Sequence, residues 1–205
     1  MFLYGASGHG KVIKEILELH GRKVDGFIDD NPDINEVLGL PVFHTAEDAD
    51  EVIVSIGFNA IRKSIVKKLD CKFASAAIHP LAFISDSATV GKGSAVMAGV
   101  IVNAEARIGK HCIINTGSTV DHECRIGDYA HIAPGVHLCG NVHVGEGTLI
   151  GVGSSVIPNV RIGKWCSIGA GSVVVSDIPD GYIAFGNPCR LVKPLVDGSL
   201  LSPVG

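Results

Sequence analysis

No run of this sequence stays apolar for the ~18 residues that a membrane-spanning helix requires. Basic residues are not in excess either: 17 Lys and Arg stand against 21 Asp and Glu, a formal net charge of −4. That balance gives no electrostatic reason to expect nucleic acid or an anionic membrane surface. Aromatic residues are scarce at 5%, and charged residues reach only 19% beside 46% hydrophobic ones, which excludes a disordered chain. Cysteine occurs six times but never as a Cys-x-x-Cys pair, so neither a disulfide framework nor a zinc knuckle is indicated. Met1-Phe2-Leu3-Tyr4-Gly5 enters structured sequence at once, without the charged and then apolar segments of a secretory signal. A soluble, cytoplasmic protein of one large domain or two modest ones is expected.

What the chain has instead is a period. From Ile84 to Val174 an aliphatic residue recurs every six positions, sixteen times without a gap, and a small or compact residue follows each four places later. A strict period of six marks a parallel β-helix of hexapeptides. Three hexads make an 18-residue coil, so residues 81–179 hold a little over five coils, about 25 Å of stacked strands at ~4.8 Å each. The aliphatic residue and the small residue two before it share the inward face of a strand, and the residue between them points out. Counted from the aliphatic residue, the third and fourth form a corner. Cys112, Cys124 and Cys166 fall on the small inward position, where a thiol serves as a compact core residue.

Residues 1–80 read differently, as short strands alternating with amphipathic helices, hence a small parallel α/β sheet. Strands are expected at Phe2–Tyr4, Lys23–Ile28, Val52–Ile56 and Phe73–Ile78, with helices at Val12–Leu19 and Ala60–Leu69. Gly5-Ala6-Ser7-Gly8-His9-Gly10-Lys11 lies between a strand and a helix, where glycines admit close backbone approach and the helix N-terminus favours a pyrophosphate. Asp29-Asp30 closes the next strand, at the distance where a carboxylate holds ribose hydroxyls. Val12 stands where a Walker A loop needs Ser or Thr. About 80 residues also lack the second half of a dinucleotide fold, which disfavours a nicotinamide dehydrogenase. Residues 180–205 break the period and form a tail; it and the α/β part are expected to cover the two solenoid ends.

Of the solenoid histidines, His131, His137 and His143 occupy the outward position of successive hexads, hence three different faces, and cannot chelate one ion within a chain. No metal is expected. His122 sits in a corner as Asp121-His122-Glu123, two carboxylates beside an imidazole, an arrangement that suits a general base as well as a solvated turn. His131 lies half a coil away, so a site using both would form between subunits, with threefold symmetry the natural closure. The outward series Thr89, Arg107, Arg125, His143, Arg161 reads as a solvent face, whereas Ala95, Ile113, His131, Leu149, Ser167 asks for cover by a neighbouring subunit.

Taken together, Gly5–Gly10, Asp29-Asp30, Ile56-Gly57 with Ile61-Arg62, Asn115-Thr116, Val120–Cys124, His131, Gly140-Asn141 and Gly186-Asn187-Pro188 resemble the nucleotide-sugar acetyltransferases of the left-handed β-helix superfamily. The bacterial enzymes that acetylate UDP-4-amino-4,6-dideoxy-N-acetylglucosamine in bacillosamine biosynthesis, and the related sialic acid O-acetyltransferases, are the nearest in pattern. The resemblance implies a Rossmann-like nucleotide-sugar-binding domain over 1–80, a left-handed β-helix over 81–179, a tail over 180–205, a homotrimer, and acetyl-coenzyme A as co-substrate. It implies His122 as catalytic base with Glu123 raising its basicity. Ser7, Gly8, His9, Asp29, Asp30 and Gly57 would hold the nucleotide sugar, and His131, Val152 and Ala170 the acetyl-coenzyme A. Cys189 departs from the family, whose tail carries Ala there. The implied activity is N-acetylation of a nucleotide-linked amino sugar. O-acetylation of sialic acid or another sugar, N-acetylation of a GDP- or dTDP-linked sugar, and a non-catalytic sugar-nucleotide-binding protein are its rivals.

Overall fold

A computed structural model describes residues 1–47 and 49–195. Asp48 and the last ten residues of the expected tail lie outside the described residues. The N-terminal part is a sheet of β1 (Phe2–Tyr4), β2 (Gly26–Ile28), β3 (Glu36–Val37), β4 (Leu40–Phe43), β5 (Glu51–Val54) and β6 (Lys72–Phe73), in the order β3-β4-β2-β1-β5-β6. All pairs are parallel except the β3–β4 hairpin. Helix α1 (Gly8–Leu19) follows β1 and buries Ile13, Ile16 and Leu17, while α2 (Asn59–Lys68) follows β5. The hairpin was not legible in the sequence, and the strand expected at Phe73–Ile78 is split. Its first residues close the α/β sheet as β6, and Ala77–Ile78 (β7) opens the solenoid by pairing with Ala95–Val96. One apolar run thus serves two sheets.

From β7 onward the chain winds as a left-handed parallel β-solenoid. Two-residue strands stack in three faces. The first face carries Ala95–Val96, Ile113–Ile114, His131–Ile132, Leu149–Ile150 and Ser167–Ile168; the second runs from Phe83–Ile84 to Val173–Val174; the third from Thr89–Val90 to Arg161–Ile162. The register pairs each residue with the one eighteen later. Every aliphatic residue of the period from Val96 to Val174 is buried, and burying each stabilises the fold by about 1.5–3 kcal/mol. The small inward residues do more than fill space. The Cys112, Cys124 and Cys166 thiols donate to carbonyls of the following coil at 3.1–3.2 Å, and Ser94 and Ser154 do the same through their hydroxyls at 2.9 and 3.0 Å. A side chain that is compact and carries one donor suits a position facing turn carbonyls.

The tail strand Tyr182–Phe185 extends the first face parallel to Ser167–Ile168, and Arg190–Pro194 returns antiparallel along it. Cys189, between them, is buried. Here one sequence expectation fails. The first face does not wait for a neighbour: Ala95 and Ile113 are already only 2% exposed within the chain. Helix α1 packs on β7, the α1–α2 side of the α/β unit lies along the coils, and the tail closes the far end. The α/β unit therefore covers a flank of the solenoid as well as its end. On the second face Phe83 is 58% and Ile101 41% exposed, and on the tail strands that extend the first face Phe185, Leu191 and Val192 are exposed as well. The third face is polar and accessible, as its arginines suggest.

Candidate active site

Two clusters carry chemistry, and they stand on different parts of the molecule. The first is the turn between β1 and α1. Asp29 holds it in shape: its Oδ2 accepts the Ala6 N–H at 2.8 Å and its Oδ1 the Asn31 N–H at 3.0 Å. Asp30 accepts the Tyr4 hydroxyl at 2.5 Å, and burial together with that carboxylate raises the phenol to about 12. Ser55, fully buried, donates to the Tyr4 and Gly5 carbonyls at 3.0 and 2.9 Å. The glycines divide by role. A Cβ on Gly10 would fall inside the Gly5 carbonyl oxygen, so that glycine is needed for folding; a Cβ on Gly8 would meet nothing within 4 Å. Ser7 precedes α1 without spending its side chain on a cap, and no acidic residue stands in the first turn. Unpaired amides at an uncapped positive helix end are suited to an anion.

Beside this turn lies His131, on the first face of the solenoid. Its ring is half-buried, and Asn115 from the preceding coil approaches Nε2 at 3.2 Å. His9 stands close by on α1, and Gly57 contributes its carbonyl. Burial first, then the Arg62 guanidinium and His9, push His131 down to about 3. Burial and Arg62 likewise hold His9 at about 4, and its Nε2 has no partner.

The second cluster is the corner between the second and third faces. His122 Nδ1 lies 3.1 Å from Glu123 Oε2, and both side chains are open to solvent. A carboxylate at Nδ1 places the ring proton there and leaves the Nε2 lone pair free to take a proton. Glu123 has φ +60°, a left-handed conformation shared by corner residues Glu105, His111, Tyr129 and Asn141, so it belongs to the solenoid turn rather than to local strain. Asp121 does not flank the imidazole as its sequence position suggested. Its Oδ1 accepts the His122 backbone N–H at 2.8 Å and the Asn103 amide at 2.9 Å; these bonds, Asn103 first, lower its pKa. The ring rests instead on Gly140 of the next coil, where a Cβ would come within 2.5 Å of Cε1 and Nε2.

Sequence reasoning thus named residues that the structure gathers in two groups. Ser7, Gly8, His9, Asp29, Asp30, Gly57 and His131 lie around one junction of the α/β unit and the first face. His122 and Glu123 stand at another corner of the same coils. Val152 and Ala170 are exposed on the corner between the first and second faces, two coils running up from Pro134. His131, His137 and His143 do fall on three separate sheets. Among the described residues no group of three or more His, Cys, Asp or Glu could hold a metal ion. Sequence reasoning gave no role to Arg62, Asn115 or Gly140, all of which touch a candidate residue or hold its neighbours.

Comparison with known proteins agrees with both halves of this geometry. Residues 1–69 match the family described as the PglD N-terminal domain, and residues 105–140 and 141–176 match the bacterial transferase hexapeptide family. Among solved structures, a mutant of the perosamine N-acetyltransferase of Caulobacter crescentus, in complex with CoA and GDP-perosamine, is 40% identical. The match covers 94% of this chain and 96% of that one, with a TM-score of 0.89. The acetyltransferase domain of PglB from Neisseria gonorrhoeae, in complex with acetyl coenzyme A, is 35% identical over 93% of this chain and 98% of that one, TM-score 0.83. WeeI from Acinetobacter baumannii is 26% identical over 93% and 98%, TM-score 0.74.

Proposed function

The chain belongs to the hexapeptide-repeat sugar acetyltransferases with a PglD-type N-terminal domain, and on that footing we propose that it transfers acetyl from acetyl-coenzyme A to an amino group of a nucleotide-linked sugar, with His122 as general base. The observation that carries the reading is the pairing of an uncapped glycine-rich helix start with a solvent-open His122–Glu123 dyad on a hexapeptide corner. His122 Nε2 takes a proton as the amine nitrogen attacks the thioester carbonyl; the C–S bond then breaks and the coenzyme leaves as the thiol, taking that proton back from the His122 imidazolium. Holding both substrates in one cleft contributes much of the acceleration. No acyl-enzyme is required, since the Cys124 thiol is buried and committed to the Cys139 carbonyl.

In this reading residues 1–80 bind the nucleotide sugar through Ser7, Gly8, His9, Asp29, Asp30 and Gly57, residues 81–179 carry the chemistry, and His131, Val152 and Ala170 serve acetyl-coenzyme A. UDP-4-amino-4,6-dideoxy-N-acetylglucosamine is the first candidate acceptor. A GDP-linked amino sugar is the second, favoured by the 40% identity to the perosamine enzyme bound to its GDP sugar. A panel of UDP-, GDP- and dTDP-linked amino sugars and their hydroxyl analogues, assayed with acetyl-coenzyme A, tests it. Transfer to hydroxyls but not amines, or no transfer at all, would overturn N-acetylation. The cytoplasm is proposed as its compartment.

Gly8→Val should fold, because its side chain enters open space, yet it should raise the sugar-nucleotide KM by about an order of magnitude while acetyl-coenzyme A affinity stays nearly intact. Equal loss of both would instead indicate misfolding. We further propose a homotrimer closed through the second face, because Phe83 and Ile101 remain exposed there and His122 and the His131 junction are apart in one chain. Sedimentation equilibrium should then return about three times the 21.3 kDa chain mass, and Ile101→Glu should shift it toward monomer. An active monomer is the contrary result.

A further inference from the structure

Arg62 is the largest fully buried side chain of the described residues, 1% exposed, on a helix whose apolar spacing alone would mark it as a solvated position. Its five hydrogen bonds run to both halves of the molecule. Nε donates to the His111 carbonyl at 2.8 Å and Nη2 to the Tyr129 carbonyl at 2.7 Å, both on the corner between the third and first faces. Nη1 donates to the Ile56 and Gly57 carbonyls at 2.7 and 3.1 Å, and Nη2 to Asn59 Oδ1 at 2.8 Å. All partners are neutral, and among the described residues no carboxylate pairs with it. Burial lowers its pKa only to about 10, so the group stays cationic at neutral pH. An unneutralised buried charge is costly. Tying four carbonyls and an amide together does not by itself explain a cation in that place.

The next link is His131. Asn115 Oδ1 accepts the Thr116 backbone N–H at 2.8 Å, which fixes the amide's orientation and turns its NH2 group toward His131 Nε2. Nε2 must then be the acceptor, which leaves the ring proton on Nδ1, and the Gly57 backbone lies beside the ring. Gly57 is the residue whose carbonyl Arg62 grips.

We propose that Arg62 is a positioning residue of the acetyltransferase site: through the Gly57 carbonyl it fixes the β5–α2 turn against the solenoid and, with Asn115, holds His131 in the Nδ1–H tautomer facing the glycine-rich turn. This rests on the reading of that junction as the sugar-nucleotide site. Groups facing His131 from every packed element agree with a neutral ring: Arg62 from α2, His9 from α1 and the Asn115 amide from the preceding coil, with the Gly57 carbonyl alone favouring the protonated form. It follows that His131 Nε2 is unavailable as an oxyanion donor, so the donor for the tetrahedral intermediate comes from elsewhere in the cleft.

The test is a long-range proton–nitrogen spectrum of enzyme labelled with ¹⁵N-histidine, with His131 assigned by its loss in His131→Gln. Wild type should show Nδ1–H at pH 7 and no protonation of this ring down to pH 5. In Arg62→Met the His131 ring should begin to protonate above pH 5, where the wild-type ring stays neutral. The KM for acetyl-coenzyme A, which His131 serves, and that for the sugar nucleotide, which Gly57 serves, should each rise at least about tenfold with kcat within about threefold, and Arg62→Lys should recover part of these effects. A lower melting temperature with His131 and KM unchanged would reduce Arg62 to a fold clamp and overturn the proposal. Should Arg62→Met fail to fold, Asn115→Asp, a half-buried position, decides the same point. Its carboxylate should draw the proton to Nε2, and an unchanged Nδ1–H signal would refute the assignment. The spectrum needs no substrate, so absence of acetyl transfer would defeat the functional reading and leave this test standing.

Discussion

His122→Ala is expected to lower kcat by about 10²–10⁴, the range for loss of a general base, with little change in either KM. The dyad geometry gives the reason: Glu123 at 3.1 Å occupies Nδ1, and only Nε2 faces solvent with a free lone pair. Glu123→Gln should cost less, because an amide can still orient the ring while losing the charge that stabilises imidazolium. Gly140→Ala is the more discriminating variant. A methyl group there enters the space of Cε1 and Nε2 and tips the ring off its seat without touching the glycine-rich turn. It should reproduce a large part of the His122→Ala loss in kcat at unchanged sugar-nucleotide KM. An enzyme with alanine at position 122 that keeps near-normal kcat on its best substrate would end this mechanism. A normal Gly140→Ala enzyme would show that the ring works from another rotamer.

The solenoid was legible because its physics is local and repeated: one residue in six must be aliphatic to fill a narrow core, so Val96 through Val174 declare themselves. The dyad could be located by counting from the same period, since the third and fourth positions are corners. What the period could not reveal is which flank the α/β unit covers. Ala95 and Ile113 look like an interface from sequence, and they are one, but with the chain's own N-terminal part. Arg62 was hidden for a related reason. A lone arginine among Lys63, Lys67 and Lys68 on a short helix carries no local sign that its partners are carbonyls 49 and 67 residues away. Gly140 helped carry the family resemblance, but its role stayed unassigned because it is the absence of a side chain under another coil's histidine. The Asp29 carboxylate is a milder case: the sequence suggested it for ribose hydroxyls, and the structure shows it holding the Ala6 and Asn31 amides.

Acid should unfold this protein through its histidines well before its carboxylates. His9 and His111 are held at about 4 and His131 at about 3, in each case by burial first and the Arg62 cation second. His111 is sandwiched between Phe73, edge-on at 4.7 Å, and Tyr129, stacked at 5.3 Å, with Nδ1 unpartnered; His9 Nε2 is unpartnered as well. A proton added to either would be a second buried charge beside Arg62 with nothing to accept its bond. These folded-state values lie below the ordinary 6.5 of the unfolded chain, so the unfolded state binds more protons throughout the interval between them. The stabilisation is therefore complete above pH about 6.5 and is lost as pH falls toward 4, each histidine contributing a slope of up to about 1.4 kcal/mol per pH unit. Asp25, held at about 2 by the N-terminal amine and Lys23, and Asp121, also lowered, act only below 3.8, outside that window. Urea unfolding at fixed protein concentration should show a midpoint that is level from pH 8 to 7 and drops steeply from 6 to 4.5. His111→Phe, which keeps the aromatic stack and removes one titrating ring, should make that drop shallower by about a third. A midpoint that holds level down to pH 4.5 would mean that water or a carboxylate reaches these rings, and with it the cationic junction around Arg62 would be lost as an explanation for the neutral His131.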